Sequence, residues 1–233
     1  MYFEKEVDQN MGRTKHRPIA EGIISPKNAL IFAIILAIIS FLSLLLINNL
    51  LSALLALGGG FFYVAIYTLY LKKRTIQNIV VGGSAGAFPP LVGYAAVSNT
   101  ITLEAIYLFV IIFFWTPPHF WALAIMIKDD YAKAKIPMLP VIKGVENAAL
   151  QIFLYSILLI LITTLTILVS PSLGSIYLIS SLVLGIVLIY RSFRLYKSLD
   201  RSEAVSTYKY SLLYLFLLMG AVMIDSSVNF LEF

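Results

Sequence analysis

The sequence predicts an all-α protein, a polytopic bundle of helices that crosses a membrane seven times, and three observations carry that prediction. First, 60% of the 233 residues are hydrophobic and only 12% are charged, whereas a soluble domain has about 45–50% apolar and about 25% charged residues. Second, the apolar residues gather into seven runs, each close to the roughly 20 residues a helix needs to cross a hydrocarbon core about 30 Å thick. Third, all 17 Lys and Arg fall in alternate intervals between those runs or, as Arg191 and Lys209 do, at the ends of the runs that border them. A mean hydropathy of +0.92 makes the lipid bilayer the first partner of this chain. Its formal net charge of +5 reads as the positive-inside bias of a membrane protein and not as a nucleic-acid surface. With no cysteine, disulfides, thiolate metal sites and cysteine nucleophiles are excluded together. Any chemistry falls to carboxylates, basic groups, histidine or hydroxyls.

The runs are 29–48, 50–71, 79–97, 104–127, 148–169, 174–193 and 208–228. The first, fifth, sixth and seventh are apolar stretches of spanning length. The second holds Tyr63, Tyr67 and Tyr70 at helical spacing, which reads as packing between helices. The third, IVVGGSAGAFPPLVGYAAV, carries four glycines and Pro89-Pro90. Small residues let helices approach closely in a membrane, so it is expected to be thin, kinked, buried in the bundle and barely touched by lipid. In the fourth run Pro117-Pro118 is expected to kink the helix and free carbonyls that need partners.

The intervals fix orientation. Residues 1–28, 72–78, 128–147 and 191–209 hold every Lys and Arg, while Asn48-Asn49, Ser98-Asn99-Thr100 and Ser170-Pro171-Ser172 hold none. The first set is therefore expected in the cytoplasm, and the second set and the C-terminus outside. The N-terminal MYFEKEVDQNMGRTKHRP has no apolar stretch of the kind a signal peptide requires.

Topology explains the bases but not the acids, and nine of the 12 Asp and Glu share the basic side. Glu4 and Asp8 are spaced i, i+4, which puts both carboxylates on one helix face, with Glu6 elsewhere on the circumference. Asp129-Asp130 follows the fourth run. Arg13 and Arg17 follow the first group, Lys128, Lys133 and Lys135 surround the second, and Lys72-Lys73-Arg74 ends the second run. Two readings stand: a solvated mixed-charge face, or a metal-diphosphate site in which carboxylates and phosphate oxygens share Mg²⁺ while bases bind phosphate. His119, in FFWTPPHFWAL, is the ionisable residue deepest in an apolar run. It is either a functional group or a donor to a carbonyl released by the prolines.

The segments MGRTKHRPIAEGIISPKNAL, LYLKKRTIQNIVVGGSAGAFPPLVGYAA, FFWTPPHFWALAI and KDDYAKAKIPMLPVIKG resemble, in that order, the signatures of the protoheme IX farnesyltransferases (heme O synthases), a branch of the UbiA superfamily of intramembrane prenyltransferases. The resemblance runs from residue 1 to about 150, with pass count and hydropathy alone supporting it beyond. It implies a single membrane-embedded prenyltransferase domain over residues 1–233, with two acidic motifs that chelate Mg²⁺. The family has nine transmembrane helices, so the resemblance also implies that the N-terminal two are missing here. The first family motif, NxxxDxxxD, would begin just before Met1, with Glu4 and Asp8 at its acidic positions and Glu6 at a further acid of the heme branch.

What the resemblance implies for chemistry is ionisation of farnesyl diphosphate and capture of the allylic cation by a vinyl group of heme B, giving heme O. It assigns Asp8, Asp130 and Lys72 to catalysis, Glu4, Asp8, Asp129 and Asp130 to the metal, and Arg13, Arg17 and Lys73 to the diphosphate, with His119 toward the heme. It further implies a location in the cell membrane with the site's loops cytoplasmic, and a heme A synthase or terminal oxidase pathway that consumes the product. Two alternatives use the same residues differently. One is a UbiA-type enzyme with a quinone-precursor or lipid acceptor. The other is an organic-anion transporter binding through broken helices near the midplane, against which stand the clustering of charge at one face and the lack of a duplicated half.

Overall fold

The computed structural model describes residues 1–231, and among them every regular element is helical. The C-terminus, expected outside, lies beyond the described residues. A short α1 (Lys5–Asn10) precedes α2 (Pro26–Ile47) and α3 (Leu50–Phe61), which continues as a π-helix over Phe62–Leu71. Then come α4 (Asn78–Gly82), α5 (Ser84–Ser98), α6 (Leu103–Met126), the short α7 (Lys128–Lys133) and α8 (Leu139–Ile142), α9 (Gly144–Leu165), α10 (Ser175–Ser198) and α11 (Arg201–Leu231). Seven spans are long and apolar enough to cross a membrane, in the order the runs predict.

Local chemistry sets the ends of these helices. Pro26 sits in the first turn of α2, behind Ser25, whose hydroxyl accepts from the Asn28 amide at 3.2 Å. Asn49 caps α3 by accepting from the Ser52 amide at 2.9 Å, and its Nδ2 donates to the Ala95 carbonyl at 2.6 Å, tying the α2–α3 turn to the end of α5.

Two expectations are corrected. The charged interval 191–209 is helical almost throughout, because α10 runs to Ser198 and α11 starts at Arg201, leaving a two-residue turn. Arg191 is half-buried and bonds Ser206, and its guanidinium lies 5.2 Å from the Tyr210 ring, so its charge extends the helix pair instead of ending it. The third pass, Asn78–Ser98, is not interrupted where α4 meets α5, because Gly83 keeps helical dihedrals and its amide donates to the Ile79 carbonyl at 2.8 Å. Nor is it hidden from lipid: Val81, Pro89 and Val97 are exposed, and the pass with most buried residues is the fourth, α6. Pro117 and Pro118 are both buried inside α6.

The packing divides the molecule in two. Helices α6, α9, α10 and α11 form a closed four-helix bundle, while α5, α3 and α2 extend from α6 as an open row. The bundle buries Ile111, Leu159, Tyr177, Leu188, Tyr214 and Leu218 in one cluster. A second cluster, at the basic end, joins the N-terminal segment through Val7 and Met11 to Tyr67, Ile79, Trp121, Tyr131 and Met138.

Candidate functional site

The N-terminal segment folds back over the basic end of the open row. Thr14 Oγ1 donates to the Asp8 carbonyl at 3.1 Å, and Gln9 Nε2 donates to the Ala20 carbonyl at 2.9 Å. These bonds, with buried Val7, Met11, Ile19 and Ala20, hold a charged stretch in place. Beneath it lies a cavity of about 530 Å³ walled by this segment, α3 and its π-helix, α4, α5, α6 and Tyr131 of α7.

Sequence spacing explains the convergence only in part. Glu4 and Asp8 are both buried and line the cavity, as do Arg13, Arg17 and Lys72. Glu4 is ion-paired with Lys72, and Arg17 Nη1 donates to both Asp8 oxygens at 2.9 and 3.1 Å. Burial pushes the Glu4 carboxyl up, but the hydrogen bond and charge of Lys72, with the charges of the chain's amino group and Arg17, outweigh it and hold it below its usual range. Lys72 reaches the cavity because the π-helix ends there, its amide donating to the Tyr67 carbonyl at 2.9 Å, five residues back. π-Turns gather at functional sites, and this one also puts Tyr63 and Tyr67 on the wall with ring centres 5.6 Å apart.

The floor depends on two glycines. A Cβ at Gly82 would collide with the Tyr67 ring, and one at Gly83 would lie 2.9 Å from both the Ile79 carbonyl oxygen and Thr116 Cγ2. The backbone of the third pass thus lies directly against the Tyr67 and Thr116 side chains of the second and fourth, and the apolar part of the cavity, with Ile79, Ala85 and Phe120, opens beside this contact.

Other residues singled out in the sequence lie elsewhere. Asp129 is exposed and Asp130 half-buried, and neither lines the cavity. Asp130 does lie close by, since a Cβ on Gly12 would be 3.6 Å from both its carboxylate oxygens. The residue this segment contributes to the wall is Tyr131. Burial pushes its phenol up, with Glu4 adding to the effect and Arg13 opposing it. Among the described residues no three His, Asp or Glu side chains cluster as a metal site. Lys73 and Glu6 are exposed and off the cavity. His119 faces α11: its ring stacks between Trp115 at 4.3 Å and Tyr208 at 4.7 Å, and its Nδ1 is 2.7 Å from Ser211 Oγ. Its partner is therefore that hydroxyl and not a carbonyl released by the prolines. Helical spacing is the reason, because Thr116 and Phe120 hold the cavity face of α6 while Trp115 and His119 hold the next.

Sequence reasoning did not single out Thr14, Phe120 or Tyr131 for the site, and read Tyr63 and Tyr67 as packing. The tyrosine spacing was visible, but nothing in it marked the π-helix that turns two of the rings to the cavity.

Residues 1–223 match the UbiA prenyltransferase family. Two relatives named protoheme IX farnesyltransferase are 50% identical over 228 residues (from Thermus thermophilus) and 48% identical over 229 residues (from Neorickettsia sennetsu). Each alignment covers 98% of this chain, which spans 37% of the length of the first relative and 75% of the second. The fold resembles a solved structure described for digeranylgeranylglyceryl phosphate synthase, with a TM-score of 0.73, 19% identity, and 97% of this chain and 78% of that one covered. A UbiA homologue from Aeropyrum pernix K1 gives a TM-score of 0.66 at 16% identity, with 96% and 81% covered. With the family matched along nearly its whole length, the chain belongs to the UbiA prenyltransferase family.

Proposed function

We propose that this chain carries the site of a protoheme IX farnesyltransferase, which transfers the farnesyl group of farnesyl diphosphate to a vinyl carbon of heme B to make heme O. The observation that carries the reading is the cavity, which joins a charged rim of Glu4, Asp8, Arg13, Arg17 and Lys72 to an apolar interior with Ile79 and Phe120. Such a space suits a molecule with a diphosphate at one end and a hydrocarbon chain at the other. The relatives' names favour heme as the acceptor.

In this mechanism the allylic C–O bond breaks and its electron pair leaves with the diphosphate. Arg13, Arg17 and Lys72 neutralise the growing charge, which is where a preorganised site gains most. Lys72 and Arg17, bound to Glu4 and Asp8 in the present structure, turn toward the phosphate oxygens. Tyr63, Tyr67 and Phe120 wall the cation and limit bulk water around it. The vinyl π electrons form the new C–C bond, and water adds to the carbon next to the macrocycle and loses a proton.

The family generally uses a divalent metal, and the donors at this rim are oxygen atoms, which Mg²⁺ prefers. Mg²⁺ is commonly held by one or two carboxylates with substrate phosphates completing its shell. Glu4 and Asp8 would hold it here, with Asp130 and then Asp129 next in line. When bound, it would supply Lewis-acid stabilisation of the leaving diphosphate. Lys73 is assigned to diphosphate approach and His119 to the acceptor side by the resemblance alone. The basic end is assigned to the cytoplasm by charge.

The test is to express the chain in membranes with heme B and farnesyl diphosphate and read the extracted heme by mass spectrometry. The expected product carries one farnesyl group and one hydroxyl. Unchanged heme with a prenylated phenol or lipid in a parallel acceptor assay would move the acceptor assignment.

A further inference from the structure

Among the described residues four tyrosines are buried: Tyr67, Tyr131, Tyr177 and Tyr214. In the bundle, the Tyr177 and Tyr214 hydroxyls both donate to Thr163, to its carbonyl at 2.7 Å and its Oγ1 at 3.3 Å. Tyr67 and Tyr131 line the large cavity, and no described residue bonds their hydroxyls. A buried phenol ordinarily finds a partner, so these two are exceptions that face a space for a ligand. Tyr67 lies against Gly82 at the floor. Tyr131 stands at the rim, near enough to Arg13 and Glu4 to feel both charges. Its hydroxyl is not closed off by protein as the Trp121 indole N–H is, and the 4% of Tyr131 that stays accessible includes it. The residue is also held in place. Its amide donates to the Ile127 carbonyl at 3.3 Å, its carbonyl accepts from the Ile136 amide at 3.0 Å, and it belongs to the buried cluster that holds Val7 and Met11.

We propose that Tyr131 is a further catalytic residue of this cavity, its phenol O–H donating to an oxygen of the departing diphosphate. This rests on the reading of the cavity as a farnesyl diphosphate site. Among the donors of the rim, Lys72 is paired with Glu4 and Arg17 with Asp8, so each must leave a carboxylate to meet a phosphate. Arg13 has no ion pair and Tyr131 no hydrogen bond through its side chain among the described residues, so these two can meet a ligand without breaking a contact. They differ in kind. Arg13 is exposed and brings charge, whereas Tyr131 is neutral, buried and fixed in direction before the ligand arrives. A fixed donor aimed at growing charge stabilises the transition state most, and hydrogen bonds to ionised acceptors are the strong ones. The contact therefore strengthens as the C–O bond breaks, and the proton stays on the phenol.

The full chain and its Tyr131→Phe variant are placed in nanodiscs, and binding of inorganic diphosphate in Mg²⁺ buffer is measured by calorimetry, with prenyl transfer and melting temperature read in parallel. Phenylalanine keeps the ring and removes only the hydroxyl. Because no described residue bonds that hydroxyl, the variant should melt no lower than the parent. Its affinity for diphosphate should fall on the order of tenfold, and kcat for prenyl transfer on the order of 100-fold. Placing 4-aminophenylalanine at position 131 restores a donor on the same ring and should recover most of the affinity. If Tyr131→Phe weakens diphosphate binding while neither protein makes farnesylated heme, the Tyr131 contact stands and the heme reading alone fails. Unchanged affinity in Tyr131→Phe overturns the proposal. So does a loss that comes with a lower melting temperature and is not recovered by 4-aminophenylalanine, which is what a merely structural hydroxyl would give. Failure of the parent to bind diphosphate overturns both the proposal and the diphosphate reading of the cavity.

Discussion

The closed bundle of α6, α9, α10 and α11 and the open row of α2, α3 and α5 are packed in opposite ways. In the bundle each helix has two neighbours, and polar groups are spent on one another: the Tyr177 hydroxyl donates to the Thr163 carbonyl at 2.7 Å, and Asp225 accepts from the Gly174 and Tyr177 amides at 2.6 and 2.9 Å. In the row α2 buries no residue, and α3 gives way to a π-helix. The third pass has Gly82 and Gly83 where side chains of its neighbours press on it. Irregular backbone at membrane depth is tolerated only where protein or a polar cavity meets it, and here the π-helix borders the cavity beneath the N-terminal segment. The difference teaches that regular packing and the large cavity fall in separate halves, with α6 belonging to both.

The sharpest way to break that division is to change charge in the row without changing shape. Asp8→Asn keeps the volume but loses the charge that holds Arg17 and would hold a metal, so prenyl transfer should fall on the order of 100-fold or more. The protein should remain inserted, with its melting temperature little changed. Activity within a few-fold of the parent, measured as farnesylated heme, would return the acids to the reading of a solvated face.

The next effect in size concerns the contact between passes. Gly82→Ala places a methyl group in the Tyr67 ring, and overpacking of this kind costs about 1–3 kcal/mol. Because Tyr67 lines the cavity, turnover should fall along with stability, whereas Gly60→Ala, with open space at its Cβ, should alter stability little. Equal melting temperatures for the two variants would mean that the close approach is not needed.

In the bundle the converse is expected. Tyr177→Phe removes the donor to the Thr163 carbonyl and should destabilise the protein by about 1–3 kcal/mol. Per folded molecule, turnover should be unchanged. A lower rate at equal folded fraction would show that the bundle does more than support the row.

How much of this was legible in the sequence follows the same division. Seven spans were readable because lipid demands long apolar runs, and the placing of Glu4 and Asp8 on one face was readable from i, i+4 spacing, but the pairing of Glu4 with Lys72, 68 residues on, was not. The ends of α10 and α11 were not, because Arg191, half-buried against Tyr210, looks like a loop charge in sequence. The openness of the third pass was missed too, since a glycine signals close approach at one point, as at Gly82 and Gly83, without saying what covers the rest of the helix. His119 was read as deep in the membrane, but which face of α6 it shares with Trp115 depends on where α11 docks, a contact between residues about 90 positions apart.

The smallest effect tests the electrostatics of the rim. Glu4 titrates below its usual value of 4.5 because Lys72 and its neighbours outweigh burial. A carboxyl whose folded pKa is depressed contributes stability above its unfolded pKa and loses it as pH falls through the folded one. Stability in detergent should therefore be flat from neutral pH down to about 5, as far as Glu4 is concerned, and decline below the ordinary carboxylate range. Lys72→Met removes the hydrogen bond and the largest opposing charge, leaving burial, the strongest influence on this carboxyl, to dominate. The Glu4 pKa should then rise above its unfolded value. The sign reverses with it: the Glu4 contribution now weakens as pH rises through about 4 to 6, where the parent is flat or gaining. Thermal unfolding of both proteins across that range, with Glu4→Gln in each background to isolate this group, measures the difference. Parallel curves in the two backgrounds would mean that Lys72 does not hold Glu4 ionised, and the rim would owe its order to Asp8 and Arg17 alone.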